Sequence, residues 1–236
     1  MRERNWILAK NRRRLSVGVT AANWRNITAS LSPLGPETEW LHVDIMDGQF
    51  VPKMTVGPWI LSAFPDAFIV DAHVMTNSPI QHAKELIKFG AHVVTLQYEG
   101  LKNAVEAFMD LSSLKVSYQG ECFPVVRGVS LCPSTCLSVL SDLLPHVEMI
   151  QLLTLDPRNG ERIDNETFLQ RLHDLNIFLN DKGFSPIVGV DGSISLELAR
   201  RVILAEGVQV VVSGSALFEG NSLTDNLRLW RNHLYD

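Results

Sequence analysis

Apolar positions along the chain gather in short, nearly continuous runs. Eight of these read as strands: residues 16–22, 40–47, 68–75, 92–99, 123–132, 149–156, 186–192 and 208–214. Most are dense in Val, Ile, Leu and Met. Such runs suit strands covered on both faces, as in a parallel sheet. Between them the apolar period lengthens to three or four. Residues 79–90 carry Pro near the start, apolar side chains at helical spacing and Gly at the end. Residues 166–182, 196–206 and 223–234 repeat that rhythm. Strand and helix alternating through eight rounds predicts an α/β fold, a single (β/α)8 TIM barrel. An open doubly wound sheet is the alternative, but no G-x-G-x-x-G follows the first strand. The polar stretch 112–122 reads as an excursion before the fifth strand. No linker interrupts the pattern, so residues 1–236 read as one domain. Its basic extension, residues 1–15, either covers the barrel bottom or lies in solvent.

Composition narrows the classes. The hydrophobic fraction is 46% of 236 residues, enough for a full core. The net charge is −5, which argues against general nucleic-acid binding. No uncharged apolar run reaches ~18 residues, so no membrane span is expected. Residues 1–15 hold five Arg and one Lys but no long apolar core, unlike a secretory signal. Three cysteines, an odd count, suggest a reducing compartment and a cytoplasmic location without a disulfide framework. Cys132 and Cys136 lack the partners of a structural zinc site. His82, His92, His146, His173 and His233 read as surface or packing residues.

The second and third strands carry the candidate chemistry. Side chains on a strand alternate with period two, so His42, Asp44 and Met46 share one face, with Val43 and Ile45 on the other. Asp71, His73 and Met75 repeat the arrangement. The seventh strand ends at Asp191-Gly192. Inward-facing His and Asp are costly unless they are paired or bind a metal. His42, Asp44, His73 and Asp191 therefore make either a metal site or a satisfied polar network. As a metal site, the mixed imidazole and carboxylate set suits zinc, iron, manganese or cobalt. No G-x-S-x-G elbow supports a hydrolase.

Four segments resemble the ribulose-phosphate 3-epimerase family: LHVDIMDGQFVPKMTVGP (41–58), DAHVMTNSP (71–79), VGVDGSIS (188–195) and VVVSGSALF (210–218). The first is long and specific, and the resemblance spans roughly residues 16–230. It implies a phosphate-binding barrel that epimerises ketose phosphates at carbon 3 with one divalent metal, zinc being the first expectation. The implied ligands are His42, Asp44, His73 and Asp191. Asp44 and Asp191 would also be the acid/base pair, one on each face of the substrate, working through a cis-enediolate. Met46 and Met75 would line the pocket, or else simply fill the barrel. Gly192, Ser193, Gly214 and Ser215 would receive the phosphate. The resemblance also implies a homo-oligomer and a place in pentose phosphate metabolism.

Two departures qualify the match. Gly18 stands where the family has a substrate-contacting Ser, and Thr20 is a partial substitute. After the sixth strand, a glycine-rich loop is replaced by Leu153-Thr154-Leu155-Asp156-Pro157-Arg158-Asn159-Gly160-Glu161-Arg162. Only Gly160 of the family's glycines remains, and Leu153 replaces a pocket methionine. Arg158 or Arg162 either grips the phosphate by side chain or faces solvent. The expected reaction is ribulose 5-phosphate to xylulose 5-phosphate. The alternatives are another ketose phosphate such as allulose 6-phosphate, whose branch Ser193 resembles, or a non-catalytic sugar-phosphate-binding barrel. Decarboxylation ranks last, because no Lys follows Asp44 on its strand.

Overall fold

The structure is a computed structural model, and it describes residues 7, 13–204, 207–220 and 222–235. Among these residues ten strands run in chain order: β1 (Arg14–Gly18), β2 (Glu39–Met46), β3 (Val70–Met75), β4 (Val93–Gln97), β5 (Lys115–Tyr118), β6 (Glu121–Pro124), β7 (Val126–Leu131), β8 (Met149–Leu153), β9 (Ile187–Asp191) and β10 (Val208–Ser213). Eight of them close into a barrel in the order β1-β10-β9-β8-β7-β4-β3-β2. Every neighbouring pair in that barrel is parallel. The helices are α1 (Ile27–Leu31), α2 (Pro79–Lys88), α3 (Ala104–Leu111), α4 (Asn165–Lys182), α5 (Leu196–Leu204), α6 (Ser215–Phe218) and α7 (Leu223–Leu234). Short 3-10 turns at Pro58–Ala63 and Leu137–Asp142 follow β2 and β7. The predicted (β/α)8 barrel is the observed architecture.

Local chemistry sets the helix ends. Asp164 caps α4 by accepting from the Thr167 N–H, and Gly183 ends the helix at φ 69°. That left-handed conformation costs glycine little. The predicted helix 196–206 is seen through Leu204; residues 205 and 206 lie outside the described residues.

Period-two alternation divides the core in two. Leu41, Val43 and Ile45 of β2 point outward and belong to the same buried cluster as Leu86, Phe108 and Phe168 of the helices. Inside, Trp40, Ile69, Val93, Val126, Met149, Ile187 and Val210 form an apolar layer at the amino ends of the strands. Ile7 packs into that layer and is 3% exposed. At this residue the extension covers the barrel bottom; the rest of residues 1–12 lies outside the described residues.

Several boundaries differ from the sequence reading, most clearly around β1 and the fifth barrel strand. β1 begins at Arg14, inside the stretch assigned to the extension, and ends at Gly18 rather than at 22. Residues Val19–Ala21 instead form a 3-10 turn. The fifth barrel strand is only Val126–Leu131, because Pro124 has no N–H to give a central ladder. Residues 115–124 form a separate hairpin, β5–β6. Its turn uses Gln119 at φ 52° and Gly120 at φ 82°. Two successive left-handed residues match the right-handed twist of a hairpin. The polar excursion is thus largely structured.

The last helix stitches the first two strands. Glu39 is fully buried and is held by Arg231 through Nε at 3.0 Å and Nη2 at 2.7 Å. The Tyr235 hydroxyl donates to the Thr38 carbonyl and accepts from the Leu15 N–H. Among the described residues no helix is long and apolar enough to cross a membrane.

Candidate active site

The inward residues of β2, β3 and β9 meet at the carboxyl ends of the strands. Gly18 pairs in register with His42, His42 with Asp71, and Asp44 with His73. Across the barrel, Asp191 ends β9. One ligand atom from each of His42, Asp44, His73 and Asp191 lies within 4.8 Å of the other three. His42 Nε2 is 3.3 Å from Asp44 Oδ1 and 3.7 Å from Asp191 Oδ2. His73 Nδ1 is 3.5 Å from Asp44 Oδ1 and 3.6 Å from Asp191 Oδ2. The four residues singled out by strand periodicity and, for Asp191, by its place at a strand end are therefore one cluster.

The far side of each imidazole is also engaged. His42 Nδ1 lies 2.8 Å from Asp71 Oδ2, which also accepts from the Ser16 hydroxyl at 2.9 Å. His73 Nε2 lies 2.8 Å from Gln97 Oε1. Neutral rings that donate outward to these oxygens turn their lone pairs inward. The centre then holds two imidazole nitrogens and two carboxylate oxygens, all acceptors. Such a set demands positive charge between its members, so the residues fit a divalent cation.

Without a cation, the same demand for positive charge falls on the imidazoles themselves. Burial disfavours charge on His42, but the Asp71 and Asp44 carboxylates outweigh it and raise its pKa well above the usual imidazole value. At His73, burial is again outweighed, here by Asp191 and Asp44, and the pKa rises to about 9. Asp44 is pushed far below the ordinary carboxylate range, because the two imidazoles overcome the cost of its burial. Gln151, which the sequence reading passed over, donates to Asp191 Oδ2 at 3.0 Å.

A cavity of about 250 Å³ opens over the cluster. Its wall includes Gly18, Thr20, His42, Asp44, Lys53, Asp191, Ser193, Gly214 and Ser215. Lys53 is the lone Lys or Arg among the described residues of that wall, and it lies within the quoted 41–58 motif. Gly192, at φ 99°, turns the chain just behind Ser193, itself at φ 55°. A Cβ on Gly192 would stand 2.7 Å from Thr154 Oγ1 and 3.0 Å from Thr154 N, so only glycine fits. Met46 and Met75 are paired neighbours at the ends of β2 and β3, and Met75 is buried.

Gly160 lies elsewhere. It sits in a self-bonded turn at φ 78°, with its N–H on the Asp156 carbonyl at 2.7 Å. Asp156 N in turn donates to the Glu161 carbonyl at 2.8 Å. The Asp156 carboxylate takes Arg158 N, Nε and Nη2 at 2.6–2.9 Å. Arg158 is thereby committed within its own loop. Arg162 reaches the Gly192 carbonyl at 3.3 Å, beside the cavity.

Comparison with known proteins decides the family. A profile of the ribulose-phosphate 3-epimerase family matches residues 15–218. The chain belongs to that family. Ribulose-phosphate 3-epimerase family members are isomerases acting on carbohydrates. One relative is LsrE of Salmonella typhimurium, named provisionally as an epimerase. It is 39% identical over 218 residues, covering 92% of this chain and 85% of its own. The ribulose-phosphate 3-epimerase of Treponema pallidum is 30% identical over 184 residues, covering 77% of this chain and 80% of its own. In three dimensions the chain resembles KGPDC from Streptococcus mutans, with a TM-score of 0.66 at 14% identity, covering 95% of this chain and 99% of that one. At that identity the likeness concerns the barrel alone.

Proposed function

We propose that this family member epimerises a ketose phosphate at carbon 3 by proton transfer between two carboxylates. One observation carries the reading. Asp44 and Asp191 rise from different walls of one cavity, and each lies against the same two imidazoles. A substrate held between them presents one face of carbon 3 to each. One carboxylate removes the proton, which is acidic because carbon 2 is a carbonyl. The other returns a proton to the opposite face of the cis-enediolate. Inversion then needs no carrier of electrons.

His42, Asp44, His73 and Asp191 would hold the divalent ion, zinc first, with iron, manganese or cobalt also suited to the set. When bound, that ion supplies Lewis-acid stabilisation of the negative charge developing on the substrate oxygens. Asp71 and Gln97 orient the two imidazoles, and Gln151 orients Asp191. Ser193, Gly214 and Ser215 line the cavity and would receive the phosphate, Gly192 would set the turn that presents Ser193, and Lys53 on the same wall supplies positive charge. Met46 and Met75, neighbours at the ends of β2 and β3, are not among the described residues of the cavity wall and pack beside the cluster. In this reading Gly160 shapes its own turn rather than touching the sugar.

Ribulose 5-phosphate is the first substrate expected. A six-carbon ketose phosphate such as allulose 6-phosphate is the second reading, favoured by Ser193 and by the tightly closed 156–160 turn. The test is hydrogen exchange at carbon 3 in deuterated water, followed by NMR, with zinc-, manganese- or iron-loaded protein and each sugar separately. Deuterium at carbon 3 with accumulating epimer is expected, and the faster sugar names the substrate. Asp44→Asn and Asp191→Asn should each lower turnover by at least ~10²–10⁴-fold. Wild-type rates in both variants would sink the two-carboxylate mechanism. Absence of exchange with either sugar would favour a non-catalytic binder.

A further inference from the structure

Gln97 stands between the metal-type cluster and Glu99. Its Oε1 faces His73 Nε2 at 2.8 Å, and its Nε2 donates to Glu99 Oε2 at 2.5 Å and to Cys132 Sγ at 3.3 Å. Glu99 collects two further donors, the Cys132 N–H at 2.9 Å and the Thr135 hydroxyl. Burial disfavours charge on Glu99, but these donors outweigh it and hold its pKa below the ordinary range. Glu99 is therefore an ionised, acceptor-only group. Arg171 of α4 fixes the same turn by donating to the Cys132 and Thr135 carbonyls.

This arrangement allows the Gln97 amide one orientation. Turned over, it would set its carbonyl oxygen against the Glu99 carboxylate and its NH2 against His73. As it stands, Oε1 can only accept, so the His73 proton is held on Nε2. The lone pair is then left on Nδ1, which faces Asp44 Oδ1 and Asp191 Oδ2. His42 has the opposite arrangement: Asp71 takes the Nδ1 proton and Nε2 faces the centre.

We propose that Glu99 is a positioning residue: it orients the Gln97 amide and thereby keeps His73 in the tautomer that offers Nδ1 to a divalent cation. The proposal rests on the metal-site reading above, and it needs no substrate for its test. The experiment uses zinc-loaded protein labelled with 15N-histidine. Long-range 1H–15N spectra report the ring tautomers, and competition with a chromogenic chelator reports zinc affinity. In the wild type, His73 should show one tautomer, protonated at Nε2. Glu99→Gln should populate both and lower zinc affinity about 10–100-fold, the usual effect of losing an outer partner of a metal ligand. Gln97→Leu should do the same while leaving Glu99 its other two donors. The double variant should bind zinc no more weakly than Gln97→Leu alone, because Glu99 acts through Gln97.

Losses that add in the double variant overturn the proposal, as does a wild-type spectrum with the His73 proton on Nδ1. If Glu99→Gln does not fold, wild-type affinity in Gln97→Leu overturns it. Wild-type protein that binds none of zinc, manganese, iron or cobalt overturns the site reading itself. Zinc binding that ignores both variants overturns the relay alone.

Discussion

A Cβ on Gly18 would stand 3.0 Å from the Gly214 Cα, so here two strand ends pass backbone to backbone. This glycine is thus matched to its neighbour across the β1–β10 seam. Gly18→Ser must push that seam apart. It should lower unfolding free energy by about 1–3 kcal/mol, the usual cost of overpacking, measured by urea titration. Lys53 poses a question of charge rather than space. If it meets the phosphate, Lys53→Met should raise KM for the phosphorylated sugar about 10–100-fold, the cost of one hydrogen bond to a charged group. Steady-state kinetics with phosphorylated and unphosphorylated sugar check this. An equal effect on both would remove Lys53 from phosphate recognition.

At the scale of elements, the turn after β8 behaves as a unit closed upon Asp156. Asp156→Ala removes the partner of Arg158 and should cost about 1–3 kcal/mol of stability. The β5–β6 hairpin is tied to the barrel bottom by His92. Its ring meets Tyr118 edge-on at 5.2 Å, and its Nδ1 accepts from the Val70 N–H at 3.0 Å. Burial lowers the His92 pKa to about 4, outweighing a backbone hydrogen bond at Ser117 that favours the charged ring. The unfolded chain, with an ordinary value near 6.5, binds this proton more readily. Stability from this group is therefore full above about pH 6.5 and falls as pH drops toward 4. His92→Asn should shrink the stability difference between pH 7 and pH 5 by about 2 kcal/mol. The barrel strands were legible because buried parallel strands spell near-continuous apolar runs. The hairpin was not: Lys115, Ser117, Glu121 and Cys122 give it a polar surface that reads as loop.

At the scale of the whole molecule, the metal-type site joins elements distant in sequence. A cation bound only by the folded chain should stabilise all of it. Free zinc at about 100 times its dissociation constant adds about 2.7 kcal/mol, or roughly 5–10 °C in Tm for a domain of this size. Chelator-treated protein should show that shift on zinc addition in a thermal melt, and His73→Ala should abolish it. The four candidate ligands were visible in the sequence because imidazole and carboxylate side chains stand out inside apolar strands, three of them at period two and Asp191 at a strand end. Gln97, Gln151 and Glu99 escaped notice because amides and a loop carboxylate look like ordinary polar filler until their partners are seen. The seam adds an order in time. His42, Asp44 and His73 are made close together, Asp191 about a hundred residues later, and the helix that holds Glu39 later still. At the pace of translation, three ligands wait roughly ten seconds for the fourth. A nascent chain therefore carries most of a cation trap well before it has the walls to shape one, and the set is complete only once β9 joins the barrel.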